Sequence, residues 1–412
     1  MDPHLKTPAR AWLVVALLCV VGCLNYLDRS MIATMRGSIV QAMPMTDAQF
    51  GLLTSVFAWV YAVVSPFAGF LADRFNRSRV IIGSLFAWSA VTWLTAHAKT
   101  YDQLLATRAL MGITEACYIP AALALITDYH RGPTRSFATG VHMAGIMLGA
   151  SLGGMGGWLA ERHSWSYAFN LFGGMGVAYS VVLLFTLRDA PRAVTLAGEP
   201  EEKIRFGAAL KNLFSSGSYL LTLAYWGLLG LVGWLVLGWL PTYLQENFHL
   251  SQGTAGLSAT VYLQVASLVG VLVGGAWADR WSRTNPRGRI FVPALGLCLA
   301  APGIFLATHT SLLPIAIAGL VIYGLTYAFS DANMMPILCL IADPRYRATG
   351  YGVLNFFGCA VGGLAVYAGG ALRDGQVNLS KIFMVAGASM IVCIVLLLLL
   401  KPRPEALEES RS

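Results

Sequence analysis

Charged residues, prolines and glycine clusters interrupt the chain, and between the interruptions lie twelve apolar runs: residues 11–34, 48–72, 79–97, 102–128, 136–160, 166–187, 217–245, 254–278, 289–309, 312–341, 348–372 and 379–401. Each holds about 20 or more residues, enough for a helix to cross a hydrocarbon core about 30 Å thick. Lipid offers no partner to an unpaired peptide group, so such runs must be helical. They are also too long and too uniformly apolar for barrel strands, which alternate and need about ten residues. The pattern predicts an all-α polytopic membrane protein with twelve transmembrane helices.

The longest polar break, 188–216, contains Gly198-Glu-Pro-Glu-Glu202 and separates six spans from six. It reads as a cytoplasmic linker between an N-terminal six-helix bundle (1–187) and a C-terminal six-helix bundle with a short cytoplasmic tail (217–412). Internal repetition supports two related bundles. Gly69-Phe-Leu-Ala-Asp73-Arg74-Phe-Asn76-Arg77 at the end of the second span recurs 206 residues later as Gly275-Ala-Trp-Ala-Asp279-Arg280-Trp-Ser-Arg283 at the end of the eighth. Ala138-Thr139-Gly140 and Ala348-Thr349-Gly350 open the fifth and eleventh spans, and Gly156-Gly157 and Gly369-Gly370 close them, 213 residues apart. Two similar halves related by an axis along the membrane normal are expected of an alternating-access carrier.

Composition agrees with lipid as solvent: 57% of the 412 residues are hydrophobic and 12% are charged, where a soluble domain carries about a quarter charged residues. The net charge of +8 is a topology signal rather than a nucleic-acid footprint. With the N-terminus inside, the cytoplasmic connections and tails hold 21 Lys/Arg, and the opposite side holds five: Arg36, Lys99, Arg162, Arg373 and Lys381. This positive-inside bias predicts a cell (plasma or inner) membrane protein with both termini cytoplasmic. The first run lacks a small-residue cleavage pattern and reads as a retained span. All seven cysteines fall inside predicted spans, where they act as small apolar side chains, so neither a disulfide nor a metal site is expected.

The Gly69-xxx-Asp73-Arg74-xx-Arg77-x-Arg79 segment resembles the signature loop between spans 2 and 3 of the major facilitator superfamily, and Gly275 to Arg283 resembles its weaker second copy. The resemblance covers essentially the whole chain. It implies a latch on the cytoplasmic side in which Asp73 faces the start of span 11, a helix N-terminus that favours a carboxylate. The glycine that the family places two residues after the Asp-Arg pair is Asn76 here, and Asn also tolerates left-handed backbone. A finer resemblance, carried by Asn25-Tyr-Leu-Asp28-Arg29 in span 1 and by Arg108…Gly112…Glu115-Ala116-x-Tyr118 and Leu125-Ile126-x-Asp128 in span 4, is to the Spinster-like carriers and to the anion:cation symporters. The former are associated with lysolipids and related amphiphiles, the latter with sugar acids and other small organic anions.

A charge near the bilayer centre costs at least about 2.5–3.5 kcal/mol on insertion scales, so intramembrane ionisable residues are functional candidates. Asp28 and Arg29 lie inside span 1. Arg108 and Glu115, seven residues apart, share one face of span 4. Because the two spans run in opposite directions, all four can reach one depth and form two opposite-charge pairs. Proton coupling needs a carboxylate whose proton affinity rises with desolvation and falls as a cation approaches; Asp28 and Glu115 are the candidates. Arg29 and Arg108 are candidates to hold an anionic substrate group through paired hydrogen bonds, the bland alternative being that the four charges neutralise one another and pin two helices. Asp331 is the comparable acid of the second half and a third proton-coupling candidate, standing five residues before Pro336 as Glu115 stands five before Pro120.

Further substrate-binding candidates are Tyr61, His142, Gln264, Asn333 and Asn355, each of which also suits an ordinary helix–helix hydrogen bond. Trp239 and Tyr243 read as interfacial anchors, and the Gly145-x3-Gly149-x3-Gly153 ladder as a site of close helix approach. No nucleophile–base pair or metal set marks an enzyme, and no cofactor is implied. The reading is a monomeric secondary transporter, proton-coupled, whose partners are a small organic anion, protons and the bilayer; the alternatives are a Spinster-like carrier of an amphiphile and, in another class, a non-transporting membrane receptor.

Overall fold

The computed structural model describes residues 9–130, 134–190 and 206–403, with backbone alone for 69–73 and 136. The side chains of Gly69 and Asp73 and the Gly198–Glu202 stretch therefore lie outside the described residues.

The described chain is helices joined by short connections, as the pairing of every backbone group in lipid demands. In order the helices are α1 (Ala9–Thr34), α2 (Arg36–Ala42), α3 (Asp47–Arg74), α4 (Arg77–Thr95), α5 (Tyr101–Glu115), α6 (Tyr118–Tyr129), α7 (Arg135–Leu152), α8 (Gly154–Arg162), α9 (Trp165–Thr186), α10 (Phe206–Ser215), α11 (Gly217–Asn247), α12 (Gln252–Ser282), α13 (Gly288–His309), α14 (Leu313–Ile341), α15 (Arg347–Asp374) and α16 (Leu379–Leu398). Predicted spans 4 and 5 are each two helices in series, α5–α6 and α7–α8, and α10 occupies part of the stretch read as linker. Among the described residues, eleven helical segments are long and apolar enough to cross a membrane. The third predicted span, α4, has 19 residues; Arg77, Arg79 and a series of Ser and Thr lower its hydropathy. Polar side chains mark several helix starts: Thr100 accepts from the Gln103 amide, Ser164 from Tyr167 and Ser216 from Tyr219.

Two compact units result: Met1–Met45, Val56–Leu196 and Ser251–Thr260 form the first, and Thr46–Ser55, Ala197–Leu250 and Val261–Ser412 the second. Inside the first, α1 packs on α7, and α4 on α9, α5 and α6. Inside the second, α11 packs on α15, and α13 on α16 and α14. Spans 1·5, 3·6 and 3·4 thus pair as spans 7·11, 9·12 and 9·10 do, which is the pseudo-symmetry of two six-helix bundles.

The glycine ladder of α7 meets α1 without a side-chain cushion. A methyl at Gly145 would sit 2.8 Å from the Cys19 carbonyl oxygen, and one at Gly149 or Gly153 would overlap the Cys23 carbonyl or the Ser30 hydroxyl. In the second unit Trp226 and Trp234 pack over Gly358 and Gly362. Trp239 and Tyr243 are buried instead of anchoring an interface: the Trp239 indole donates to the Val366 carbonyl at 3.0 Å. Packing of Trp239 on α15 and of Tyr243 on Phe383 of α16 outweighs their amphipathic chemistry.

Candidate functional site

The site forms inside the first unit because α1 and α5 both turn a polar stripe inward. On α1, Asn25, Asp28 and Arg29 are buried at i, i+3 and i+4. On α5 the buried set is Leu104, Arg108, Met111, Gly112 and Glu115, so the charged residues lie on the covered face. Helix α5 ends at Glu115 because Pro120 has no N–H to give the Ala116 carbonyl, and the chain restarts as α6 at Tyr118.

Arg29 Nη2 and Glu115 Oε2 form a buried salt bridge at 2.9 Å, with 8% and 0% of the side-chain surfaces exposed. The Arg29 guanidinium also lies over three rings, 4.6 Å from the centroid of Tyr26, 5.0 Å from Phe57 and 4.7 Å from Tyr61. Three cation–π contacts hold its plane while the carboxylate fixes one edge. The Arg108 guanidinium lies over the same Phe57 ring, 5.0 Å from its centroid, donates to Met111 Sδ at 2.8 Å, and interacts electrostatically with both Asp28 and Glu115. Asp28 accepts from Thr92 Oγ1 of α4 at 3.2 Å. One oxygen of each acid, Asp28 Oδ1 and Glu115 Oε1, has no hydrogen-bond partner among the described residues. Gly112 admits α3 at this level, since a methyl there would stand 2.8 Å from the Phe57 carbonyl oxygen.

The structure therefore brings together Asp28, Arg29, Arg108, Glu115 and Tyr61. Of the two ion pairs expected, Arg29–Glu115 forms directly, and Arg108 interacts electrostatically with both acids. Tyr26, Phe57, Thr92 and Met111 complete the cluster and were not singled out in the sequence; Thr92 and Met111 carry no charge to flag them among apolar runs.

The other candidates have surroundings of their own. His142 is buried between Gly22 of α1 and Tyr118, whose ring it meets edge-on at 5.9 Å, about 9 Å along α1 from Asp28 by helical rise. Tyr118 donates to the Leu18 carbonyl, tying α6 to α1, while both ring nitrogens of His142 have no hydrogen-bond partner among the described residues. Asn333 donates to the Phe329 carbonyl of its own helix at 2.9 Å, and Gln264 and Asn355 are half-buried on α12 and α15. Asp331 differs from Glu115 despite the matched proline spacing. Its helix α14 runs unbroken through Pro336, its side chain is exposed, and its electrostatic neighbours are Tyr225, Tyr323 and Tyr327.

At the loop motif, Arg74 is exposed in the last turn of α3, and Arg77 pairs with Asp128 and donates to the Ala124 carbonyl at 3.2 Å, tying the loop to α6. Asn76 has φ −61° and ψ 120°, so the turn uses ordinary extended backbone and needs no left-handed residue. Asp189 accepts from the Ser78 amide at 2.8 Å and from its hydroxyl at 3.0 Å, a cap on α4 that sequence reading missed. In the second copy Gly275 passes Ala332 of α14, Asp279 pairs with Arg289 at 3.4 Å, and Arg280 and Arg283 are exposed.

Comparison with known proteins places this arrangement. Spinster homolog 1 of Bos taurus is 30% identical over 315 residues, 72% of this chain; the chain spans 60% of that relative's length. An efflux pump of major facilitator type from Mycolicibacterium smegmatis is 27% identical over 89% of this chain and 85% of the pump. The crystal structure of a bacterial homolog of the human lysosomal transporter Spinster, inward-facing and unoccupied, shares the fold with a TM-score of 0.77 at 23% identity, covering 98% of both chains. The family profile described as Major Facilitator Superfamily matches residues 18–367. By that match over most of its length, the chain belongs to the major facilitator superfamily and is a multi-pass membrane protein.

Proposed function

We propose that the protein is a proton-coupled secondary carrier of a substrate with a compact anionic group, working by alternating access in a cell membrane with both termini cytoplasmic. The observation that carries this reading is the buried cluster in which two carboxylates from α1 and α5 meet two arginines from the same helices. With all four ionised the cluster is neutral. A proton on either acid leaves one net positive charge, and an anion restores neutrality. Burial makes the uncompensated charge costly, so proton and anion favour each other's binding. The oxygens of Asp28 and Glu115 without a partner among the described residues are where the proton would sit, and Arg108, which interacts electrostatically with both acids, is the group that would turn towards an anion. Arg29, already held by Glu115 and three rings, fits a structural counter-ion that responds to the proton.

The cargo is a sugar acid or other small carboxylate on the strength of two arginines at one depth. The likeness to spinster homologs favours a second reading, in which the anionic group is the head of an amphiphile such as a lysolipid. Purified protein in proteoliposomes with an imposed pH gradient, offered sugar acids, carboxylates and lysophospholipids in turn, tests both. Accumulation against a gradient that collapses with a protonophore is the expected result. Stoichiometric binding without accumulation across the panel would indicate a receptor.

A further inference from the structure

Two long helices have their first turns held by a carboxylate from the end of another helix, at positions that the internal repeat relates. Within the second unit Asp374, the last residue of α15, accepts from the Asp47 amide (2.8 Å) through one oxygen and from the Ala48 amide (2.9 Å) through the other. Arg373 beside it donates to Asp47 at 2.9 Å and forks onto Glu246 of α11 at 3.0 and 2.9 Å. Within the first unit Glu161, in the last turn of α8, accepts from the Gly253 amide of α12 at 2.8 Å. Gln252 bonds the Ser38 amide and hydroxyl, both at 2.8 Å, and Thr260 donates to the Ser151 carbonyl at 2.8 Å.

Glycines make both contacts backbone-close: a methyl at Gly51 would stand 2.7 Å from the Val366 carbonyl oxygen, and one at Gly253 2.9 Å from Trp158 Cα. The capped amides, Asp47 and Gly253, are 206 residues apart, the offset of Gly69 and Gly275; the capping acids, Glu161 and Asp374, are 213 apart, the offset of the Gly-Gly pairs. Moreover, residues 46–55 of α3 belong to the second unit and the rest of that helix from Val56 to the first, while 251–260 of α12 belong to the first and its remainder to the second.

A carboxylate suits this place because a helix N-terminus presents unpaired N–H groups and partial positive charge. Its partner is backbone, so residues as different as Asp47 and Gly253 serve equally. We propose that Glu161 and Asp374 are a matched pair of positioning residues, made together in one state of the transport cycle and released together in the other, so that they set the carrier's conformational equilibrium. The proposal rests on the transporter reading but on neither its cargo nor its coupling ion.

Hydrogen exchange of the full-length protein in nanodiscs, read by mass spectrometry without substrate or pH gradient, tests it. Glu161→Ala and Asp374→Ala should each accelerate exchange in both 46–55 and 251–260, by roughly two- to thirty-fold, the scale of a lost helix cap. Glu161→Gln and Asp374→Asn keep one acceptor oxygen each; they should give smaller increases, again at both ends, and they carry the test if an alanine variant does not fold. An increase confined to the helix whose own cap was removed, or no increase, overturns the proposal.

Discussion

Replacing Glu115 by Gln imitates its protonated form at constant shape, and so separates its charge from its geometry. The buried Arg29–Glu115 contact at 2.9 Å is a hydrogen bond between charged groups, a type that contributes about 1.5–3 kcal/mol. Gln offers an oxygen in the same place and loses the charge, so roughly 1–2 kcal/mol of stability should go. Glu115→Ala removes the acceptor altogether and leaves a buried guanidinium without its carboxylate, a loss of about 3–5 kcal/mol, moderated by the rings of Tyr26, Phe57 and Tyr61. Thermal unfolding midpoints should therefore fall in the order wild type, Gln, Ala. In proteoliposomes the Gln variant, fixed with one net positive charge in the cluster, should lose proton-driven accumulation and retain part of its counterflow exchange. Equal loss of both activities, in a variant that unfolds near the wild-type temperature, would refute the role of Glu115 as a proton carrier.

Arg108→Ala should weaken binding of an anionic substrate at least about tenfold, as expected when a charge-assisted hydrogen bond is removed; unchanged affinity in a thermal-shift titration would end its assignment as the anchor. Gly149→Leu should prevent correct packing of α7 on α1 and appear as loss of the monodisperse peak in size-exclusion chromatography, since even a methyl there overlaps the Cys23 carbonyl. Asp128→Asn should cost under about 1 kcal/mol in unfolding stability, because both partners in its bridge to Arg77 are about a third exposed.

The helical architecture was legible because lipid leaves the backbone one solution, and the pairing of halves because the Gly69 and Gly275 segments repeat. The breaks inside spans 4 and 5 were not: apolar length is blind to them, although Pro120 accounts for the first. The charged core of the site was legible because a charge within an apolar run has few reasons to be there. Its uncharged members were not, since Phe57 and Met111 resemble any other core residue until α3 closes on Gly112. Asn333 shows the complementary case, a polar side chain in a span that meets a carbonyl of its own helix. Asp331 shows the limit of matching spacings: a proline five residues on breaks one helix and leaves the other intact.

The glycine ladder between α7 and α1 gives the site a mechanical asymmetry. With backbone meeting backbone at Cys19 and Cys23 and the Ser30 side chain seated on Gly153, these two helices make one stiff rod that carries Asp28 and Arg29. Arg108 and Glu115 ride on an arm jointed just beyond them, where α5 gives way to α6. A small bend at that joint moves one member of the Arg29–Glu115 pair while the other stays put, so the electrical pairing works as a gauge of the joint's angle.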